Sequence, residues 1–379
     1  MSGLVSRTAL RVVIGVLGII FMATHQSPSP HIDGDDDDSS HPIISQRIRL
    51  KDGRFLAYKE KGVPKTRSNY KIIIVHGFGS SKDMNFLAPQ DLVDELGIYF
   101  LLYDRAGYGE SDPNPKHSVK SEALDIQELA DQLQIGSKFY VIGVSMGSYP
   151  TWSCLKYIPE RQINKTLMLY AFSQLIVLLS GVAFVVPVVN YKWPSFPRKL
   201  IKDDYRRKLV QCGVWMANYV PGLLYWLVTQ KWLPTTSSVM NRKPVLFNSR
   251  DIDALKKTKG FPMLTPEKLQ HKGVFDTLRG DFVVAYSEWG FDPMELRNPF
   301  PNENRSCVHI WQGYEDKVVP FELQRYVSSK LPWIKYHEVV DGGHLIVHYN
   351  GLCEAILRAL LLGEESLEYR PNIPKEIVV

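Results

Sequence analysis

The stretch FYVIGVSMGSYP, residues Phe139–Pro150, decides the fold class. Apolar residues at its start are typical of a buried strand, Gly143–Gly147 has the pattern G-x-S-x-G, and the run that follows is compatible with a helix. This order of strand, sharp turn and helix is what a nucleophile elbow requires, with the hydroxyl of Ser145 standing clear at the top of a sheet. Because so short a pattern also occurs by chance, its interpretation depends on the rest of the chain.

The composition is typical of one large α/β domain with additional segments. The chain has 379 residues, 45% of them hydrophobic, and a net charge of +5 that is mild for this length. No basic block interleaved with aromatic residues indicates a nucleic-acid partner. We predict neither a metal nor a cofactor, because no metal-ligand spacing and no dinucleotide-binding glycine motif is present. Four widely spaced cysteines are expected to be free thiols: Cys154, Cys212, Cys307 and Cys353.

The N-terminus is predicted to be a separate module. Within residues 1–26, Arg7 and Arg11 precede the apolar run Val12–Ala23, and residues 27–44 form an acidic, proline-containing linker. The apolar run approaches the roughly 20 residues of a membrane-spanning helix, and no small-x-small cleavage site follows it. We therefore predict an uncleaved signal anchor that attaches the protein to a membrane, with the arginines on the cytosolic side. A cleaved signal peptide and a secreted protein are the alternative.

Periodicity predicts a parallel α/β core over residues 45–186 and 302–365. An alternating segment around Asp52-Gly53 indicates a β-hairpin. Continuous apolar runs beginning at Lys71, Ile98 and Lys138 are typical of buried strands, and two later runs resemble them. Since helical segments separate these runs, we expect a mostly parallel sheet with helices on both faces. The helical segments include Ser118–Gly136 and a closing amphipathic helix over Leu345–Gly363.

Residues 187–301 have a different character. They are rich in Trp, Tyr and Pro and lack strand patterns, which indicates a helical lid above the sheet. An aromatic-rich lid suits an apolar substrate, although the aromatic residues could also pack the lid's own core. Residues 366–379 are taken as a C-terminal tail.

The apolar run Leu167–Val189 is long enough to cross a bilayer. We reject that interpretation, because a span here would separate the candidate nucleophile from the candidate acid and base that follow it in the chain. A buried strand explains the run equally well. The strand after the elbow helix could be Thr166–Phe172 or Gly181–Val189.

A serine hydroxyl needs a general base, a group that orients the base, and donors for the oxyanion. In a G-x-S-x-G enzyme the chain order is Ser, then Asp or Glu, then His, each past a strand end. Asp316 and His344 have this order and placement. Glu315 is the rival acid, and His348 is the rival base, otherwise a helix-face residue.

The oxyanion donors are predicted to be two backbone N–H groups, those of Met146 and Phe78. Met146 follows the candidate nucleophile, and Phe78 lies in the loop HGFGSS after the first parallel strand. His76 and Gly77 would shape that loop, and His76 is interpreted as structural because it precedes the serine. Gly143 and Gly147 would give the elbow strand and helix room to approach.

The motifs HGFGSS, DRAGYGESDPNP, GVSMGS, GYEDKVVP and DGGH together resemble those of the α/β-hydrolase fold. The segments KFYVIGVSMG, CLKYIPER and GVAFVVPVVNYKWPSFP most resemble the plant membrane-anchored members. The resemblance covers roughly Ser45–Leu362 and implies an eight-stranded, mostly parallel sheet with a helical cap. It also implies serine-hydrolase chemistry, with Ser145 as nucleophile, Asp316 as acid and His344 as base.

The chain departs from this resemblance at Gln162–Leu178, which looks like an insertion between the elbow helix and its next strand. Our hypothesis is an alternative or mis-spliced gene model with retained intron sequence. Sequencing the transcript across this junction tests it, and a major message that contains the insert would contradict it.

The resulting function prediction is a hydrolase of carboxylic or lipid esters, acting on a small apolar or lipid-like substrate through an acyl-enzyme. Two alternatives remain open. A non-enzymatic ligand-binding or receptor protein would keep the fold and the pocket. An acyltransferase would use an alcohol in place of water; the segment His271–Asp276 matches H-x-x-x-x-D, but it lies in the lid and is interpreted as a chance match.

Overall fold

An eight-stranded sheet organises the part of the chain that the computed structural model describes. The described residues are 46–136, 138–158, 178–229, 247–257, 269–300 and 307–371. The signal anchor predicted at 1–26, the linker at 27–44 and residues 162–177 of the apparent insertion lie outside them. The anchor and the membrane location that follows from it therefore stay predictions from the sequence.

The strand order is β1-β2-β4-β3-β5-β6-β7-β8, and β2 alone runs in the direction opposite to the other seven strands. This confirms the predicted fold class, including the N-terminal hairpin of β1 and β2. Because the other strands are parallel, their carboxyl ends lie at one edge of the sheet, where open α/β sheets bind ligands. The strands are β1 Arg47–Arg49, β2 Phe55–Gly62, β3 Tyr70–Val75, β4 Ile98–Tyr103, β5 Lys138–Val144, β6 Leu178–Val185, β7 Val308–Gly313 and β8 Ile334–Val339.

Both faces of the sheet are buried in its parallel part from β3 onward, which explains why strands such as β3 and β4 are continuous apolar runs. In β3, Ile73 and Val75 belong to the hydrophobic core on one face, while Ile72 and Ile74 belong to the core on the other. Successive side chains of a strand point to opposite faces, so a strand covered on both sides needs apolar residues at every position.

Helices cover both faces of the sheet and form the region above its carboxyl edge. In the described residues they are α1 Gln90–Leu96, α2 Val119–Gln132, α3 Ser148–Tyr157, α4 Arg198–Ile201, α5 Tyr205–Tyr219, α6 Pro221–Val228, α7 Ser249–Lys257, α8 Lys272–Ala285, α9 Phe321–Lys330 and α10 Leu352–Leu362. Helix α2 begins where predicted, because Ser118 forms a capping box with Ser121. The described parts of residues 187–301 contain helices α4–α8 joined by loops, and no strand. The assignment of this region as a lid stays a prediction.

In the described residues the first strand after the elbow helix is β6, which overlaps the second of the two predicted segments, Gly181–Val189. The first segment, Thr166–Phe172, lies outside the described residues. In β6, Gly181–Val185 pair with β5 on one side, and Val182–Val185 pair with β7 on the other. Residues Leu178–Val185 of the apolar run Leu167–Val189 are therefore part of the sheet. Within the described residues, every helix is too short or too polar to cross a bilayer.

The predicted closing helix over Leu345–Gly363 is wrong in its first part. Residues Ile346–His348 form a separate 3-10 turn, and α10 begins only at Leu352. Gly351 interrupts the helix because its φ of 79° is a left-handed conformation that glycine adopts without strain. The break places His348 in the wall of a cavity and not on an outer helix face.

Candidate active site

The elbow at Ser145 has the backbone strain that its role requires. Ser145 has a φ of 51° and joins β5 directly to the 3-10 turn Ser145–Gly147 and then to α3. A Cβ on Gly143 would lie 2.1 Å from Thr151 Oγ1, and one on Gly147 would lie 2.2 Å from the carbonyl oxygen of Val75. Both flanking positions therefore require glycine: Gly143 because the elbow helix is too close, and Gly147 because β3 is too close for a side chain.

Ser145, His344 and Asp316 form a hydrogen-bonded chain. Ser145 Oγ lies 2.9 Å from His344 Nε2, and His344 Nδ1 lies 2.8 Å from Asp316 Oδ2. A carboxylate can only accept, so Nδ1 carries the proton of the neutral ring and Nε2 accepts from the serine hydroxyl. The structure thus brings together three residues that the sequence placed past the ends of β5, β7 and β8.

Backbone and amide donors hold the carboxylate of Asp316 in place. Its Oδ1 accepts hydrogen bonds from the N–H groups of Val318 at 2.8 Å and Val319 at 3.0 Å. Its Oδ2 accepts a further bond of 3.0 Å from Gln312 Nε2, in addition to the one from His344. These donors satisfy a carboxylate that is almost fully buried, as an acid that orients a histidine requires.

His344 is buried, and its electrostatic environment favours the protonated ring. Burial by itself lowers the pKa of His344, but the negative charge of Asp316, its hydrogen bond and the charge of Asp251 outweigh burial. The pKa of His344 is therefore raised above its usual value of 6.5. A raised pKa makes the ring a stronger base toward the serine proton.

Asp251 is a residue of the site that the sequence reasoning missed. It lies in α7, and its Oδ2 accepts from the N–H of His344 at 2.9 Å. Its Oδ1 accepts from the N–H of Leu345 at 2.9 Å and from the hydroxyl of Tyr349 at 2.8 Å. A carboxylate of α7 therefore holds the loop that carries His344. No motif marks it, and the segment SRDIDALKK contains a second aspartate, Asp253, from which the sequence alone does not distinguish it.

The two predicted oxyanion donors lie beside the serine. Phe78 and Met146 both line the cavity that contains Ser145 and His344. The N–H of Met146 belongs to the first turn of a helical segment, where N–H groups have no partner within the helix. Gly77 approaches the elbow closely, because a Cβ on it would lie 3.2 Å from Ser145 Cβ.

The cavity above the serine has a volume of about 120 Å³ and a mostly apolar wall. Helix α5 contributes Val210, and the loop after β6 contributes Val188 and Val189. Polar side chains in the wall are few, among them Arg206 and His348. Such a wall fits an apolar group on a substrate.

The rival residues occupy other positions. His348 lines the cavity, and burial lowers its pKa to about 4, but the imidazole in contact with Ser145 and Asp316 is that of His344. Glu315 accepts a hydrogen bond of 3.0 Å from Asn248 Nδ2.

His76 lies between two loops and makes hydrogen bonds to both of them. Its Nδ1 lies 2.8 Å from the carbonyl oxygen of Gly77, and its Nε2 accepts from the N–H of Arg105 at 3.1 Å. Burial and the charge of Arg105 lower the pKa of His76 to about 3. The neutral ring therefore joins the loops after β3 and β4.

A second group of buried polar residues connects the core to α8. Arg105 pairs with Asp281 through two bonds of 2.6 and 2.8 Å, and Tyr108 and Tyr149 also donate to that carboxylate. The sequence reasoning missed this pair because its members are 176 positions apart. Arg105 does belong to the quoted motif DRAGYGESD, which was the available signal.

His117, Glu122 and Asp281 have the spacing of metal ligands. Arg105 lies among them, with its guanidinium 2.6 Å from Asp281 and 3.7 Å from Glu122. A guanidinium already supplies the positive charge between these carboxylates, so the residues do not fit a metal ion. The H-x-x-x-x-D match is also remote from the cavity wall: His271 precedes α8, and Asp276 pairs on the surface with Lys272.

A family model described as "Alpha/beta hydrolase family" matches residues 72–351. No curated protein matches the chain. Among solved structures, a thermophilic esterase from Thermogutta terrifontis is 18% identical with a TM-score of 0.51, covering 83% of this chain and 98% of its own. A bromoperoxidase from Bacillus anthracis is 18% identical with a TM-score of 0.54, covering 85% and 100%. The epoxide hydrolase CorEH is 13% identical with a TM-score of 0.51, covering 83% and 97%.

Similarity at these identities concerns the fold. The three structures carry different activities on it, so the chemistry of this chain has to be argued from its own residues. None of the comparisons supports the finer resemblance to plant membrane-anchored members.

Proposed function

The chain belongs to the alpha/beta hydrolase family, and on that premise we propose that it is a serine hydrolase that cleaves carboxylic or lipid esters. The observation that carries the proposal is the hydrogen-bonded chain from Ser145 Oγ through His344 to Asp316, with bonds of 2.9 and 2.8 Å. A serine without a base in contact would be a weak nucleophile at neutral pH.

In the proposed reaction Ser145 Oγ attacks the ester carbonyl while His344 Nε2 takes the hydroxyl proton. The N–H groups of Phe78 and Met146 stabilise the negative charge on the carbonyl oxygen. Asp316 stabilises the imidazolium and keeps its ring in place. Protonated His344 gives its proton to the departing alcohol, which leaves an acyl-enzyme on Ser145.

The second half of the reaction repeats these roles with water. His344 takes a proton from a water molecule, whose oxygen attacks the acyl carbon. The bond to Ser145 Oγ breaks, the serine recovers its proton from His344, and a carboxylic acid is released. An alcohol in place of water would give acyl transfer, which is one alternative outcome.

The identity of the nucleophile supports ester hydrolysis over two other activities of this fold. Epoxide hydrolases and dehalogenases of this fold use a carboxylate at the elbow, and this chain has Ser145 there. The apolar cavity wall supports a substrate with an apolar or lipid-like acyl or alcohol group.

The test is labelling of the purified full chain by a fluorophosphonate probe, together with turnover of a short p-nitrophenyl ester. Wild type is compared with Ser145→Ala and with Ser80→Ala, a second serine in the cavity wall. We expect Ser145→Ala to abolish labelling and to lower kcat by roughly 10⁴- to 10⁶-fold, while Ser80→Ala keeps both. A folded wild-type protein without labelling or turnover would contradict the proposal and favour a ligand-binding protein.

A further inference from the structure

The outer side of α5 and α6 carries a concentration of exposed aromatic residues. Of the ten large hydrophobic side chains exposed in the described residues, five lie between positions 205 and 226. Four of these form what we call the aromatic face: Trp215 is 54% exposed, Tyr219 73%, Leu223 50% and Trp226 51%. Single exposed apolar residues are ordinary, but a group on neighbouring helices indicates an interaction surface.

Within each helix, the residues of the aromatic face lie on the side away from the buried residues. Trp215 and Tyr219 are one turn apart on α5, and their ring centroids are 6.0 Å apart. The opposite sides of the two helices are buried against each other, with Met216 and Leu224 in one hydrophobic cluster. The aromatic face is therefore the outward side of a packed pair of helices.

Charged residues are absent from the segment that carries the aromatic face and concentrated in the segment before it. The sequence from Leu209 to Thr229 contains no Asp, Glu, Lys or Arg. The preceding segment, residues 198–208, contains six basic residues and two acidic ones. Four of the basic residues are exposed: Arg198, Lys199, Lys202 and Lys208. Lys208 lies two turns before Trp215 on the same side of α5.

We propose that the aromatic face and the adjacent basic segment dock on the surface of an anionic phospholipid bilayer. Trp and Tyr have an apolar body and a polar tip, which suits the boundary between lipid headgroups and acyl chains. Lysine and arginine next to such a face attract anionic headgroups. Because basic residues outnumber acidic ones in this segment, the expected binding partner is a negatively charged lipid surface. Helices α5 and α6 would lie on this surface without crossing it.

The same helix also forms part of the cavity wall. Arg206 and Val210 of α5 line the cavity above Ser145, while Trp215 and Tyr219 face outward. Docking would therefore bring the wall of the cavity next to the bilayer. Delivery of a lipid ester to Ser145 is a consequence that rests on the proposed function, whereas the docking itself does not.

A local probe on the full chain tests the docking without any measurement of turnover. Leu223→Cys is labelled with a nitrobenzoxadiazole dye in a Cys212→Ser background, since the other three cysteines are buried. Leu124→Cys, on α2 with a comparable exposure of 45%, is the matched control. Vesicles of phosphatidylcholine with phosphatidylserine should raise the emission of the dye at 223 and shift it to shorter wavelength, without affecting the dye at 124.

Two further comparisons test the role of charge. Lys208→Gln should weaken the vesicle response of the dye at 223 about fivefold, the effect of one basic residue near an anionic surface. Salt should weaken it as well. The proposal is overturned if the dyes at 223 and 124 respond alike, or if pure phosphatidylcholine acts as strongly. A blue-shifted dye at 223 before any vesicles are added would also overturn it, because another protein surface would already cover the face.

Discussion

The carboxylate of Asp251 accepts a hydrogen bond of 2.9 Å from the backbone N–H of His344. Asp251 is fully buried, and a Cβ on Gly343 would lie only 1.9 Å from its Oδ2. Helix α7 thus contributes a positioning residue for the imidazole that contacts Ser145. A change at Asp251 should therefore affect the reaction although this side chain does not touch the serine.

Asp251→Asn should lower kcat and stability together. An asparagine has one acceptor oxygen, so its NH2 group would face a donor that the carboxylate now binds. An unsatisfied buried donor costs about 1–3 kcal/mol. Ester turnover and urea unfolding of this variant would be compared with those of Asp253→Asn, an exposed residue of the same helix that is 63% exposed and lies 3.9 Å from Lys256. Unchanged kcat in the first variant would contradict a positioning role.

The pH at which kcat/KM falls in acid should depend on the two carboxylates near His344, those of Asp316 and Asp251. The general base must be neutral, so kcat/KM should rise with pH through the raised pKa of His344. Asp316→Asn removes the charge that contributes most to raising this pKa. The acid limb of the pH profile should move to lower pH while the rate falls by about 10⁴-fold.

Asp251→Asn should move the same limb in the same direction by less, since Asp251 is the weaker of the two carboxylates that raise the pKa. Asp253→Asn should leave it in place. The pH dependence of kcat/KM for all four proteins checks this order. A limb at the same pH in Asp316→Asn and wild type would show that His344 is not the titrating group.

Alanine in place of an elbow glycine should destabilise the protein, whereas alanine in an open helix should not. In Gly143→Ala the new Cβ would lie 2.1 Å from Thr151 Oγ1 and 2.6 Å from the carbonyl oxygen of Gly147, at a cost of about 1–3 kcal/mol or more. Gly280 in α8 has no atom within 4 Å of a Cβ. Gly280→Ala should therefore stabilise by about 0.5–1 kcal/mol, the helix-propensity difference. Thermal and urea unfolding measure both, and equal effects would contradict the geometry.

Loss of the buried Arg105–Asp281 pair should be among the most destabilising single substitutions in this protein. Asp281→Asn leaves the guanidinium of Arg105 buried and uncompensated, which costs roughly 3–5 kcal/mol. Asp276→Asn on the same helix, with Asp276 41% exposed, should cost less than about 1 kcal/mol. Urea unfolding at neutral pH separates the two.

The stabilisation by Asp281 should also disappear in acid. Burial alone would raise its pKa, but Arg105 outweighs burial and holds the pKa of Asp281 at about 2. A carboxyl with a lowered pKa stabilises the folded state above its unfolded pKa of about 3.9, and this contribution is lost as pH falls toward 2. The difference between wild type and Asp281→Asn should therefore shrink over that range. A difference independent of pH would contradict the ionised pair.

The local features of the fold could be predicted because they depend on residues close in sequence. A continuous apolar run such as that of β3 indicates a strand buried on both faces without any information about distant residues. The elbow was recognisable because its G-x-S-x-G pattern is local, although the close contact that requires glycine at Gly147 comes from Val75 on β3. Chain order and strand ends then selected Asp316 and His344 over their neighbours, and the structure brings these two into contact. Their catalytic roles stay predictions for the experiments above.

Tertiary structure decided the features that depend on residues far apart in the chain. Asp251 and His344 are 93 positions apart, and Arg105 and Asp281 are 176 apart. The roles of Asp251 and Asp281 are visible only in the folded structure, where each carboxylate is buried next to its hydrogen-bond donors. Burial of a carboxylate without such partners would be costly. The place of His348 in the cavity wall likewise followed from the break at Gly351. The sequence by itself therefore determined the sheet, the elbow and the candidate residues, and packing decided which distant side chains hold them in place.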